Sequence, residues 1–398
     1  MGKWVKKKLG DYVVLQGGFA FQSKDFVEDG VPLIRIGDIT KEGLCDENAV
    51  KLPVNFLDEC KEFALNEYDT IIAMSGATTG KCTIVSKKNL PALLNQRVGR
   101  FKIKNSSIDK LYLYYIVSSY YYQQKLLLDA IGGAQPNVSP RQIEKVICAF
   151  PILLDGSPDF SEQRRIASIL SSADKVIDST QKLIAKYKSI KQGMMEDLLK
   201  PKEDWKKVKL GECCEINPKT DTSKVLDDDI IVFVKMEDVS NDGFITSFNE
   251  KTYQSLQKKG FTVFQNDDVI FAKITPCMEN GKGALVRGFD TKICMGSTEF
   301  HVIRACENIS IDFIYQLTIS KQFRLKAEMQ MTGSAGQQRV PISFLEDYLF
   351  YIPDLSEQRR IASILSSIDK KIESEEKTLE KYKKIKKGLM EKLLKEEE

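Results

Sequence analysis

Twelve residues, SEQRRIASILSS, occupy Ser161–Ser172 and recur unchanged at Ser356–Ser367, 195 positions later. An exact copy at that distance in a 398-residue chain points to an internal duplication, and it limits the architecture more than any local motif. The match extends to 40 residues, Ser161–Lys200 against Ser356–Lys395, with 28 identities. A shorter match lies upstream of each copy. Trp4-x-Lys6-x-Lys8-Leu9-Gly10 answers Trp205-x-Lys207-x-Lys209-Leu210-Gly211. The chain therefore reads as domain, helix, domain, helix. The boundaries are 1–158, 159–200, 201–353 and 354–398.

The 40-residue element has helical periodicity. In the first copy Ile166, Leu170, Ala173, Ile177, Ile184, Tyr187, Met194 and Leu198 fall at spacings of three and four, with Thr180 and Lys191 in the gaps. In the second, Ile361, Leu365, Ile368, Ile372, Leu379, Tyr382, Leu389 and Leu393 do the same, with Glu375 and Lys386 in the gaps. This is a heptad seam. Asp159 and Ser161, like Asp354 and Ser356, are suited to the N-cap. A helix of roughly 60 Å overreaches a domain of this size. A seam that narrow needs a partner helix, and the complementary surface is the other copy. Antiparallel pairing predicts an internal pseudo-two-fold axis; the plainer alternative is that each helix packs on its own domain. Lys381, Lys383, Lys384, Lys386 and Lys387 read as a solvated outer face.

Both domains mix short strands with a helix. Residues 31–40, 69–85 and 97–104 are predicted strands with polar turns, followed by a helix over 108–131. Residues 231–240, 267–286, 299–305 and a helix over 311–329 repeat the order with sparse identity. Near-identical helices joining dissimilar domains suggest two different reading heads on one scaffold. The composition, 42% hydrophobic and 29% charged, is that of a soluble globular protein. Lys and Arg number 59 against 56 Asp and Glu, so any basic face hides inside a net charge of +3. No run of 18 apolar residues predicts a membrane helix, and MGKWVKKKLGDYV lacks the apolar core of a signal peptide. Nine cysteines at no metal-like spacing fit a reducing, cytoplasmic setting.

Isolated motifs give little support to an enzyme acting alone. SGATTGKC (75–82) departs from a phosphate loop, because three residues rather than four separate its glycines and Cys82 follows the lysine. NPKT (217–220) lacks the aromatic that an adenine methyltransferase stacks on its base, and a capping or turn role is expected. The single histidine, His301, lies in an apolar run and reads as a satisfied core residue. No metal site is expected. The matched loops are more informative. SGATTGKC and TPCMENGKG (275–283) both end in Gly-Lys, and GGAQPNVSPRQI (132–143) and GSAGQQRVPISFL (333–345) both follow the helix. Amides and guanidinium groups read base edges. The candidate DNA contacts are Ser75, Thr78, Thr79, Lys81, Gln96, Arg97, Gln135, Asn137, Ser139 and Arg141 in the first domain. In the second they are Lys273, Thr275, Asn280, Lys282, Gln337, Gln338 and Arg339. Lys81 and Lys282 suit phosphates; Gln135, Asn137, Gln337, Gln338 and Arg339 suit bases.

The doubled SEQRRIASIL before a long helix, together with DVIFAKITPCMENGKGAL (268–285) and GGAQPNVS (132–139), resembles the DNA-specificity subunits of type I restriction-modification enzymes. The resemblance runs from Trp4 to Lys395. It implies an α+β chain of two mixed α/β target recognition domains joined by two long helices in an antiparallel coiled coil. It also implies a non-catalytic subunit in which each domain reads half of a split, asymmetric double-stranded DNA site. The helices would set the spacer and dock two modification subunits. Restriction (translocase/endonuclease) subunits would complete the complex, with S-adenosylmethionine, ATP and Mg only on those partners. The competing reading is a two-headed coiled-coil adaptor for proteins.

Overall fold

The computed structural model describes residues 3–40, 43–105, 107–128, 137–334 and 336–394. The chain divides into two compact units. Unit 1 is Met1–Gln181 with Lys377–Glu398, and unit 2 is Lys182–Glu376. Each unit thus takes part of both long helices.

In unit 1 the strands are β1 (Lys3–Lys8), β2 (Val13–Gly17), β3 (Val31–Ile34), β4 (Lys51–Leu52), β5 (Thr70–Ala73), β6 (Cys82–Ile84), β7 (Leu93–Leu94), β8 (Val98–Ile103) and β9 (Ile147–Ile152). They form sheets β2-β8-β5-β6, β4-β3-β7 and β1-β9. Unit 2 repeats the plan with β10 (Lys206–Lys209), β11 (Cys214–Ile216), β12 (Ile230–Val234), β13 (Asn249–Thr252), β14 (Thr262–Phe264), β15 (Asp268–Ala272), β16 (Gly283–Leu285), β17 (Cys294–Gly296), β18 (Phe300–Ala305) and β19 (Leu349–Ile352). Its sheets are β11-β18-β15-β16, β13-β12-β17-β14 and β10-β19.

β5 and β15 are buried along their whole length, which is why both read as apolar runs after a polar first residue, Thr70 and Asp268. The charges inside these sheets are paired. Arg304 on β18 grips Asp268 with two bonds of 2.7 Å, and Arg100 on β8 meets Asp69 at 3.1 Å. The repeated Lys-Leu-Gly explains itself at this level. A Cβ on Gly10 would lie 2.9 Å from the Glu144 Cβ, and one on Gly211 3.0 Å from the Glu346 carbonyl oxygen. Only glycine lets the chain just after β1 and β10 pass so close to Glu144 and Glu346.

Each expected single helix is two. α1 (Lys110–Ser118) and α2 (Tyr120–Leu128) are separated by Ser119, at ψ 150°. Farther along unit 1 are α3 (Pro140–Lys145), capped by Ser139, and the first long helix, α4 (Phe160–Leu198). In unit 2, α5 (Ile311–Ile319) and α6 (Lys321–Met329) meet at Ser320, at ψ 143°, whose hydroxyl accepts from the Phe323 N–H. A serine in extended backbone ends one helix and caps the next without proline or glycine. α7 (Ile342–Asp347) and the second long helix, α8 (Leu355–Leu393), follow.

The long helices begin on aspartates rather than serines: Asp159 accepts from the Glu162 N–H and Asp354 from the Glu357 N–H. The repeated glutamine is buried in both copies. Gln163 accepts from the Asp109 N–H (2.8 Å), and Gln358 from the Ser310 N–H (2.9 Å), latching each long helix to the start of its unit's shorter helix. Ile166, Ala167 and Leu170, and likewise Ile361, Ala362 and Leu365, enter their own unit's core. Both packing alternatives are therefore realised. The start of each helix packs on its own unit, and α4 and α8 also pack on each other, antiparallel. Ile184 and Ile372 are buried, whereas Ile177, Tyr187, Leu198, Leu379, Tyr382 and Leu393 are half-buried.

The seam contains a polar lock in each unit. In unit 1, Asp174 of α4 ion-pairs Lys386 of α8 and accepts a 2.8 Å bond from the Tyr115 hydroxyl. In unit 2, Asp369 of α8 ion-pairs Lys191 of α4 and accepts a 3.0 Å bond from the Gln316 amide. Lys386 is thus a structural member and not part of a solvated face. The locks differ in burial: the side chain of Asp369 is 7% exposed, that of Asp174 36%. Removing one member of a buried pair strands the other, so Lys191→Met is expected to cost about 3–5 kcal/mol. Lys386→Met should cost about 1 kcal/mol or less. The triple variant K191M/D369L/Q316L, which leaves no polar atom behind, should recover most of the loss. Urea midpoints of the full chain measure all three; equal losses at the two locks would contradict burial as the cause.

Candidate functional site

In both units adjacent strands end at one edge, and the loops leaving them converge there. In unit 1 the Met74 N–H donates to the Arg97 carbonyl (2.9 Å) and the Val138 N–H to the Met74 carbonyl (2.9 Å). The Gln96 N–H donates to the Phe19 carbonyl (2.9 Å), and Ser75 bridges Asn137. In unit 2 the Lys273 N–H donates to the Glu299 carbonyl (3.0 Å) and the Val340 N–H to the Lys273 carbonyl (2.8 Å). The Thr275 N–H donates to the Gln338 carbonyl (3.0 Å), and Ile274 bridges Arg339. The loops matched by sequence are thus brought together in space, at corresponding places.

The candidate side chains fare differently within these clusters. Gln96, Arg97, Asn137, Arg141, Asn280 and Gln337 are exposed. Thr78 and Thr79 donate to the carbonyls of Ile36 and Gly76, so they shape their loop. Ser139 is occupied as the cap of α3, and the Ser75 hydroxyl is buried without a partner in the described structure. The Lys282 ammonium donates to the Met236 carbonyl (2.7 Å). Arg339 holds Glu299 through two bonds of 2.8 and 2.9 Å, which keeps that carboxyl below its usual range and the guanidinium above its own. Gln135 lies outside the described residues.

The two Gly-Lys turns are built alike. Gly80 and Gly281 have φ of +84° and +83°, where a side chain is strained. Behind each stands a residue of the shorter helices. Gln123 of α2 donates to the Val117 carbonyl (2.6 Å) and crowds Gly80. Arg324 of α6 donates to the Thr318 carbonyl (2.8 Å) and to the Met278 and Lys282 carbonyls (3.2 Å each). Arg324 stacks 4.4 Å from the Phe271 ring, and burial pulls it down to about 9. Lys282 is therefore held from both ends of its residue.

His301 is the satisfied core residue expected. The Asn217 amide donates to its Nδ1 (3.0 Å), so its Nε2–H donates to the Val340 carbonyl (2.8 Å), and burial keeps it neutral. NPKT is an irregular loop that begins with a bend and caps no helix, with Asn217 in the left-handed region at φ +51°. Among the described residues no His, Cys, Asp and Glu group could hold a metal, and no helix is long and apolar enough to cross a membrane.

Sequence reasoning missed Phe19, 44% exposed on the rim of unit 1, and the exchange of Arg97 for Glu299 at the same slot. It also passed over Gln163, Gln358, Asp174 and Asp369. Their recurrence within the 40-residue repeat was the signal available.

Equivalent loop clusters thus recur in the two units, each beside its own share of the two long helices. The chain belongs to the type I restriction modification DNA specificity domain family, whose model matches residues 1–188 and again 202–384. It is 36% identical over 172 residues to the type I restriction enzyme EcoEI specificity subunit of Escherichia coli, covering 42% of this chain and 28% of that protein. It is 42% identical over 163 residues to the EcoAI specificity subunit of the same species, covering 40% and 27%. The matches thus span less than a third of either relative. The fold is similar to the crystal structure of the type I restriction-modification S subunit from M. genitalium, with TM-score 0.58, 13% identity and coverage of 99% of this chain and 96% of that one.

Proposed function

We propose that this chain is the DNA-specificity subunit of a type I restriction-modification complex. Its recognition segments are 1–158 and 201–353, and its spacer helices 159–200 and 354–398. Each loop cluster reads one half of a split duplex site. The observation that carries this reading is the pairing of equivalent loop clusters with different chemistry. One rim presents exposed Arg97, the other Glu299 neutralised by Arg339, on helices that are nearly the same. The chain itself is non-catalytic and works in the cytoplasm. Two modification subunits dock on the helices and bring S-adenosylmethionine; restriction subunits bring ATP and Mg. Asn137, Gln337, Gln338 and Arg339, with Gln135, supply base contacts. Lys81 and the remaining donors of Lys282 take phosphates.

The test is the methylated-adenine motif made by the chain with its modification subunit. Alanine at a base reader such as Asn137 or Gln338 should cost about 1–3 kcal/mol at one base position. Motifs unchanged in every such variant would remove these loops from the interface. Salt-insensitive binding, or no binding to duplex DNA, would overturn the reading itself.

A further inference from the structure

Unit 2 contains a cleft of about 620 Å³ beside its loop cluster, walled by the Asn217–Thr222 loop, the Tyr253–Val263 segment and β18. Its described lining holds two cations, Lys219 and Lys273, and no carboxylate. Neither ammonium has an ion pair within 4 Å among the described residues, although the neighbourhood contains acids. The nearby Glu299 acts on Lys273 only through space, since its two oxygens are taken by Arg339, and His301 is neutral, so the Lys273 ammonium keeps its hydrogen-bond donors for a ligand.

The loop bearing Lys219 is fixed in advance. Asn217 is anchored by its side-chain oxygen to the Val302 N–H (2.8 Å), by its amide to His301 and by its own N–H to the Val302 carbonyl (2.7 Å). Thr220 accepts from Arg304 (3.2 Å), which is itself clamped on Asp268. Lys219 stands exposed between these two anchors. Tyr253 and Phe261 add aromatic surface, with Phe261 held edge-on to Phe233 at 4.7 Å. Cations on an anchored loop beside apolar walls suit a nucleic-acid strand, which offers phosphates next to sugars and bases. A pre-ordered loop also spares the cost of ordering it on binding.

We infer that this cleft takes the phosphodiester backbone of one DNA strand, with Lys219 and Lys273 each contacting a phosphate. The inference rests on the DNA-reading function proposed above and adds, in unit 2, a backbone track beside the phosphate contact assigned there to Lys282.

The test uses the full chain and a fluorescent duplex of arbitrary sequence, titrated at several salt concentrations. K219Q/K273Q should flatten the plot of log affinity against log salt by about two, and weaken binding by roughly tenfold per lysine at about 0.1 M salt, for every sequence alike. K219R/K273R should keep the wild-type slope. Both variants should keep the wild-type urea midpoint, because neither lysine is paired in the folded chain. An unchanged slope in K219Q/K273Q, with the wild type still binding, would overturn the cleft and leave the DNA reading intact. A wild type that binds no duplex would overturn both.

Discussion

Replacing residues 1–158 with the matching segment of a relative of different target is expected to change one half of the methylated motif and leave the other half and the spacer unchanged. The graft point lies between β9, ending at Ile152, and the Asp159 cap of α4, so no strand or helix is cut. The incoming segment must satisfy a short set of contacts. It must offer a backbone N–H to Gln163, a donor to Asp174, and an apolar face to Ile166, Ala167, Leu170 and Leu394. Unit 2 shows how loosely the donor is specified, since Gln316 does for Asp369 what Tyr115 does for Asp174. The rim residues take no part in these contacts, so the head can change what it reads and still seat. Each mismatched base pair costs about 1–3 kcal/mol, and a half-site of several pairs should therefore lose methylation at the old sequence by orders of magnitude. Sequencing the methylated motif decides the matter. Simultaneous change of both halves would show that the heads do not read independently.

The helices were legible because their letters repeat, and the strands because their apolar runs are bounded by turns. The interruptions at Ser119 and Ser320 were not legible. They arise from extended backbone at residues that also occur inside helices. Sheet order was hidden for another reason. β2 pairs with β8, more than eighty residues on, and such pairing is decided by the whole core. At the site, repetition located the loops but not the state of their charges. Lys282 and Arg339 are held by Met236 and Glu299, partners distant in sequence. Lys219, set aside within NPKT, lies in a cleft without carboxylates among its described lining. Whether a lysine is paired is a property of three dimensions. Lys386 makes the same point in reverse: one of five neighbouring basic residues, it belongs to a lock because Asp174 faces it.

Deleting one heptad from each long helix, near Leu183 and near Leu379, should shorten the spacer of the methylated motif by roughly three base pairs and leave both half-sites unchanged. A heptad is about 10 Å at ~1.5 Å per residue, and duplex DNA rises about 3.4 Å per base pair. The locks make the choice of positions specific. Asp174 to Lys191 on α4 is the same number of steps as Lys386 back to Asp369 on α8, so both locks belong to one antiparallel register. Both deletions fall between the locks. Removing seven residues from each helix keeps the two step counts equal, and both pairs can form again. Removing seven from one helix alone makes the locks disagree by a whole heptad: if Asp174 finds Lys386, Lys191 cannot reach Asp369. The single deletion can keep only one lock, and in the register that keeps Asp174–Lys386 it should lose about 3–5 kcal/mol from the buried one in addition to seam contacts. The double deletion carries its own cost on DNA. Three base pairs turn one half-site by roughly a quarter turn or more at ~10.5 pairs per turn, so activity should fall unless twist in the spacer compensates. A folded, active double deletion that still methylates the original spacing would show that something other than the paired helices sets the distance.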